Sequence, residues 1–190
     1  KNRNALTAIV CAMIAYSLMN LVMTSTPLAV IGCGYTNSDA ANIVTAHALS
    51  MYLPSFFTSS LISKYGVKPI MMVGTFLLAA AGVFGFTNTS LSNFYADLIL
   101  LGIGWNFLFI GATYLLTITS NEGEKNIVQG LNDFCVFGIV AFASLASGFI
   151  LNCSGTSSST GWGLVNLSML PFIVLSAVLI LSLKDKFIKT

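Results

Sequence analysis

The sequence predicts an all-α integral membrane protein with six transmembrane helices. Three observations support this prediction: little charge, six long apolar runs, and a one-sided distribution of basic residues. Of the 190 residues, 56% are hydrophobic and only 7% are charged, whereas an average soluble domain is about 25% charged. So few charges cannot solvate a soluble surface, and the high hydrophobicity excludes a disordered chain. A net charge of +2 without a basic cluster excludes nucleic acid as a partner.

The six helices are predicted from apolar runs close to the roughly 20 residues that a bilayer-spanning helix needs. The runs are continuous, unlike the short alternating segments of a transmembrane β-barrel. Short polar loops separate them, and the last loop, residues 152–162, is rich in Ser, Thr and Gly and reads as flexible. The predicted spans are residues 5–31, 41–62, 69–86, 94–118, 127–151 and 163–183.

The basic residues predict the orientation in the membrane. Each of the eight lies before the first span, after the last, or in a loop on that same side, and the loops on the opposite side contain none. Because short loops rich in Lys and Arg stay in the cytoplasm, we expect a multi-pass protein of the cell membrane with both termini cytoplasmic. The eight basic residues are Lys1, Arg3, Lys64, Lys68, Lys125, Lys184, Lys186 and Lys189.

The six spans divide into two groups of three, residues 1–90 and 91–190, within a single membrane domain. Two three-helix groups of opposite orientation are the inverted repeat found inside each half of many secondary transporters. The two groups share no clear sequence identity, so the predicted 3+3 repeat depends on topology alone.

The loop after the second span carries a motif. Residues 59–68 read SSLISKYGVK and resemble G-x-x-x-D-[RK]-x-G-[RK]-[RK], the signature between the second and third helices of each half of the major facilitator superfamily. Taken alone, the segment also fits an ordinary short basic cytoplasmic loop. Lys64, Gly66 and Lys68 match the motif, and Ser59, Ser63 and Val67 depart from it.

Further stretches are similar to a bacterial branch of that superfamily, in the order of its helices seven to twelve: residues 23–28, 54–57, 101–107 and 129–134. The resemblance covers nearly the whole chain but only half of a typical transporter. It implies half of a twelve-helix fold that lacks its amino-terminal six-helix half, a central cavity, and alternating access for a small-molecule substrate. The substrate itself is not implied, because this fold serves many solutes.

Two helical faces are candidates for substrate contact. At 1.5 Å per residue, Asn20 and Asn106 lie about 16 and 18 Å from the outer ends of their spans, near the membrane midplane where transporters bind substrate. Helical spacing places Tyr16 with Asn20, and Asn106 with Phe109 and Thr113. By resemblance, these spans correspond to cavity-lining helices seven and ten. The alternative is that each amide only bonds a neighbouring helix, which contributes about 0.6–2 kcal/mol.

His47 and Asp133 are the candidates for proton coupling, since ionisable groups inside a membrane are costly and often functional. Each lies about 9 Å from opposite ends of the bundle, so a relay between them would need cavity water. Structural hydrogen bonding is the alternative for both. Asp97, about 5 Å from the outer end of its span, is expected to be solvated or to cap the helix.

Other classes of function have little support. The four cysteines lack metal-ligand spacing, so no metal or cofactor is expected. An intramembrane serine protease would need a Gly-flanked Ser nucleophile with a His partner, and the single His47 has no such Ser. A six-helix channel or a non-transporting membrane scaffold stays open as an alternative, although no channel filter sequence is present.

Overall fold

The computed structural model describes residues 3–153 and 158–183. Over these residues it is helical throughout, as the sequence predicts, with eight α-helices and one short 3₁₀ turn at Glu122–Glu124. Lys1, Lys184, Lys186 and Lys189 lie outside the described residues. The helices are α1 Arg3–Gly32, α2 Asn37–Tyr52, α3 Ser55–Tyr65, α4 Val67–Thr87, α5 Leu91–Thr119, α6 Lys125–Cys153, α7 Ser158–Leu167 and α8 Leu170–Leu181.

Five helical segments within the described ranges are long and apolar enough to cross a membrane, which makes this a multi-pass membrane protein. They are Arg3–Gly32, Val67–Thr87, Leu91–Thr119, Glu122–Leu151 and Ser158–Leu181.

The second predicted span, residues 41–62, is not one continuous helix but the two helices α2 and α3. Pro54 explains the difference, because proline has no main-chain N–H and its ring clashes with the preceding helical turn. Leu53 and Pro54 keep helical dihedral angles, with φ of −55° and −63°. The chain therefore bends between α2 and α3 without an extended loop. Neither α2 nor α3 alone is long enough to cross a bilayer.

The sixth predicted span also contains a junction, between α7 and α8, and Pro171 lies in the first turn of α8. The loop predicted at residues 152–162 is shorter than expected, because α7 begins at Ser158. Residues 154–157 of that loop lie outside the described part of the chain.

Helix α5 is central, because it packs against α1, α2 and α4. Its contact with α4 is close enough to need glycine. A methyl group added to Gly74 would lie 2.6 Å from the main-chain nitrogen of Leu108, and one added to Gly104 would lie 2.9 Å from that of Leu78. Small residues let two helix backbones approach in this way inside a membrane protein.

Helix α6 lies at the side of the bundle, against α1 and α7. Only 17% of the most apolar stretch of Glu122–Leu151 is buried, compared with 56% for α1 and for α5. Large side chains, among them Phe134, Phe142, Leu145 and Phe149, are exposed along it. In a membrane this face must be covered by lipid or by more protein.

Candidate functional site

Four aromatic rings from three helices meet at one place in the bundle. Tyr16 of α1 lies edge-on to Trp105 and Phe109 of α5, with ring centroids 5.4 and 5.2 Å apart, and to Phe137 of α6 at 5.7 Å. Trp105 and Phe109 stack nearly parallel, with centroids 5.2 Å apart and an interplanar angle of 10°. We call these four residues the aromatic cluster.

The aromatic cluster extends from the interior to the surface. Trp105 is 7% exposed, Tyr16 and Phe109 are half-buried, and Phe137 is 59% exposed. Edge-to-face and stacked geometries are those that aromatic rings prefer. The cluster therefore presents preformed aromatic surface at an accessible edge between α1, α5 and α6.

Tyr16 and Phe109 are predicted from the sequence, whereas Trp105 and Phe137 are not. Trp105 precedes Phe109 by four residues, so helical periodicity alone would have placed both on one face. Phe137 had no comparable signal, because only the packing of α6 beside α1 brings its ring to Tyr16.

Asn106 is fully buried and faces the junction between α2 and α3. Its Nδ2 donates to the carbonyl oxygen of Met51 at 2.7 Å and to the hydroxyl of Ser55 at 2.6 Å. Its Oδ1 accepts a bond of 2.6 Å from the Thr58 hydroxyl. The side chain thus makes interhelical hydrogen bonds, which are the alternative to substrate contact.

Asn20 joins α1 to α6, since its Nδ2 donates to the Ser144 hydroxyl at 2.5 Å. One turn further, the hydroxyls of Ser25 and Ser147 are 2.7 Å apart and share a second hydrogen bond between these helices. Unlike Asn106, Asn20 is only partly buried. The hydroxyl of Thr113, the last predicted contact, donates to carbonyl oxygens of its own helix.

The two predicted coupling residues lie in different surroundings. His47 is fully buried in α2, with Nδ1 2.7 Å from the carbonyl oxygen of Leu98 in α5. Since that carbonyl can only accept, Nδ1 carries the hydrogen, and Nε2 has no partner among the described residues. Asp133 is exposed on α6 and accepts bonds from Gln129 and Asn132, at 3.0 and 3.2 Å. No described hydrogen bond joins His47 to Asp133.

The sequence predicts that Asp97 is solvated or caps the end of its helix, but Asp97 is fully buried. Its carboxyl group lies against the side chain of Asn166 in α7, over Gly85 in the last turn of α4. The expectation was wrong because it considered one helix: the packing of α4 and α7 over this position removes the water that a single helix end would have.

Comparison with known proteins identifies the family. The chain is 40% identical over 173 residues to the riboflavin transporter RfnT of Brucella anthropi, covering 90% of this chain and 42% of the relative. It is 28% identical over 168 residues to the MFS-type transporter YddS of Bacillus subtilis, and 29% identical over 162 residues to YdeG of the same organism, each covered to 38%. The chain is similar to transporters of the major facilitator superfamily. No family model matches it.

The similarity confirms the predicted family. The relatives are transporters, which are not enzymes. The chain spans about two fifths of the length of these major facilitator relatives, a half-length match of the kind that the resemblance to a carboxy-terminal half implies. Among the described residues, no group of three or more His, Cys, Asp or Glu is arranged to hold a metal ion.

The structure gives each matching residue of the major facilitator motif a physical role. Gly66 joins α3 to α4 with a φ of 88°, a left-handed conformation that favours glycine. Lys68 Nζ donates to the carbonyl oxygens of Leu181 and Leu183, at 3.3 and 2.9 Å, where a cation satisfies carbonyls at the end of α8. Lys64 lies over the ring of Tyr65, 5.1 Å from its centroid.

Proposed function

We propose that this chain is the carboxy-terminal six-helix half of a secondary transporter, which moves a small planar aromatic solute across the cell membrane by alternating access. The aromatic cluster supports this proposal most directly. Its parallel Trp105–Phe109 pair and the edge-on Tyr16 form the type of apolar surface that binds a flat ring.

The similarity to a riboflavin transporter agrees with that ligand chemistry, because riboflavin carries a planar fused-ring system with polar edges. Asn20 lies four residues after Tyr16 on the same face of α1 and is partly exposed. Its amide could bond a polar edge of the solute if the Ser144 hydroxyl gave way. Phe109 and Thr113 continue the surface along α5, whereas Asn106 supports it from behind by holding the α2–α3 junction.

The partner in this proposal is an amino-terminal six-helix half that covers the exposed side of α6. The half-length match to the relatives and the exposed Phe134 and Phe142 support it.

In the proposed orientation both termini are cytoplasmic and Cys33, between α1 and α2, faces outward. An impermeant thiol reagent should label a single-cysteine protein at Cys33 in intact cells, whereas labelling only in inverted vesicles would reverse the orientation.

Proton coupling belongs to the same proposal, with His47 and Asp133 as candidate groups. No described hydrogen bond joins the two side chains, so water in the cavity would have to connect them. We expect His47→Gln and Asp133→Asn to reduce the dependence of uptake on a proton gradient in the full-length protein. An unchanged dependence in both variants would remove these residues from coupling.

Uptake of riboflavin by the full-length protein in proteoliposomes tests the proposed function. Tyr16→Leu and Phe109→Leu should each raise KM about two- to tenfold, as expected from the roughly 0.5–1.5 kcal/mol of an aromatic contact. Phe76→Leu is the matched control, because Phe76 is 71% exposed on α4 and takes no part in the aromatic cluster.

The assay also separates the alternatives. Accumulation against a concentration gradient supports a secondary transporter, and flux that only follows the gradient would indicate a channel. If neither riboflavin nor another planar aromatic solute crossed the membrane, the proposal would be rejected and a membrane scaffold would be the remaining alternative. Equal KM values in the cluster variants and in Phe76→Leu would reject the aromatic cluster as the binding surface.

A further inference from the structure

The buried carboxyl group of Asp97 is the most unusual polar site in the described structure. The side chain is fully buried, and no well-formed hydrogen bond from a described residue reaches either of its oxygens. An ionised carboxylate in apolar surroundings carries a large energetic cost unless it is paired and hydrogen-bonded. Asp97 must therefore either face a cation or be protonated and neutral.

No cation faces Asp97 from the helices packed around it. α7 contains no charged or titratable residue, and the one basic residue of α4, Lys68, binds the end of α8 about 26 Å along the helix from Gly85. The titratable groups near Asp97 are Tyr95, two residues before it on α5, and His47 of α2, whose Nδ1 bonds the carbonyl of the adjacent Leu98. Tyr35, whose ring contacts Phe94, donates its hydroxyl to the carbonyl of Thr89.

Asn166 is the polar side chain that faces Asp97. Its Nδ2 donates to the carbonyl oxygen of Trp162 at 3.2 Å, while its Oδ1 is buried without a partner among the described residues. An ionised carboxylate can only accept hydrogen bonds, so it would leave this Oδ1 unsatisfied. A buried acceptor without a donor costs about 1–3 kcal/mol.

A neutral carboxyl group would avoid the buried charge on Asp97 and would also give Asn166 Oδ1 a hydrogen-bond donor. A carboxylic acid and a primary amide are complementary: the acid O–H donates to the amide oxygen, and one amide N–H donates to the acid carbonyl. The second hydrogen of Asn166 Nδ2 is then still available for the carbonyl of Trp162. In such a pair every polar atom of the two side chains would have a partner. Asp97 Oδ2 and Asn166 Nδ2 both lie next to Gly85, which has no side chain to separate them.

We propose that Asp97 and Asn166 form a proton-binding site, in which a protonated Asp97 and the Asn166 amide hold α7 against α4 and α5. Removal of the proton leaves a buried charge beside an amide oxygen and weakens this contact. The site is distinct from His47 and Asp133, and its proton does not depend on the identity of the transported solute.

Infrared spectroscopy of the full-length protein in lipid at pH 7 tests the site. A protonated carboxyl group gives a C=O stretching band that is separate from the carboxylate bands. We expect this band in the unmodified protein, its loss in Asp97→Asn, and its retention in Asp133→Asn, which removes an exposed carboxyl group instead. Absence of the band at pH 7, or its persistence in Asp97→Asn, would overturn the proposal.

A second variant tests the role of the amide without depending on transport. Asn166→Leu should shift the band to higher frequency, because the acid loses its hydrogen-bond partner, and an unshifted band would reject the pairing. Asp97→Asn imitates the neutral acid, so its thermal stability should stay constant toward alkaline pH where that of the unmodified protein falls. Equal alkaline destabilisation of both proteins would also contradict the site.

If the riboflavin assay failed while the infrared band behaved as expected, only the proposed substrate would be rejected.

Discussion

The Asn106 amide in α5 donates a hydrogen bond to the main-chain carbonyl oxygen of Met51, 2.7 Å away, near the end of α2. Met51 lies in the last turn of α2, where carbonyl groups have no N–H partner within the helix and need donors from outside it. Asn106 supplies one and also bonds Ser55 and Thr58 at the start of α3. A single buried amide thus connects both sides of the bend to the central helix.

Asn106→Leu should therefore lower the free energy of unfolding by about 1–3 kcal/mol, the cost of leaving buried groups unsatisfied. Thermal unfolding of the purified protein would measure it. Thr113→Val is the control, because its hydroxyl bonds only carbonyl oxygens of its own helix. If Asn106→Leu changed the KM for solute at normal stability, the side chain would contact substrate and would not serve chiefly to hold the bend.

Gly74→Ala should be destabilising by about 1–3 kcal/mol, because its methyl group would lie 2.6 Å from the main-chain nitrogen of Leu108 and force α4 away from α5. Gly138→Ala in α6 is the matched control, since among the described residues no atom of another element lies within 4 Å of the added methyl group. That change should be neutral or stabilising by up to about 1 kcal/mol through helix propensity. Equal thermal stability of the two variants would contradict the close α4–α5 contact.

Lys68→Met should loosen the end of α8, because Lys68 Nζ satisfies the carbonyl oxygens of Leu181 and Leu183. We expect faster amide hydrogen exchange in the last turn of α8, with a cost of about 0.3–1 kcal/mol. Lys125→Met is the control, since the ammonium group of Lys125 bonds the exposed Glu122, at 2.6 Å. Unchanged exchange in Lys68→Met would show that the motif lysine does not cap this helix.

Asp39 should make the start of α2 sensitive to acid. The Thr36 hydroxyl and the Thr36 main-chain N–H donate to its carboxylate at 2.7 and 3.0 Å, and these bonds lower the pKa of Asp39. A lowered pKa in the folded state means that the stabilisation is present above the unfolded value, about 3.9, and is lost as pH falls through the folded value. Asp39→Asn should be less stable than the unmodified protein at pH 7, and the difference should shrink under acid. A constant difference would contradict this role.

Features that depend on local sequence could be predicted from the chain itself. Hydropathy places the helices, and residues 59–68 indicate the family, which similarity to the major facilitator relatives confirms. The spacing of Tyr16 and Asn20, or of Phe109 and Thr113, follows from helical periodicity. Pro54 was present as a signal for the bend between α2 and α3, but the long apolar run around it favoured one continuous helix.

The tertiary structure alone decided which side chains are buried together. Phe137 reaches Tyr16 because α6 packs beside α1, and Asp97 is buried because Asn166 of α7 and Gly85 of α4 pack over it. Asn106 faces the bend and not the open edge of the bundle, although hydropathy gives no preference between these directions. The reason is physical: in a chain that is apolar on nearly every face, periodicity defines each helix but not which faces meet. Those contacts depend on close approaches such as that of Gly74 to Leu108, between residues far apart in the sequence.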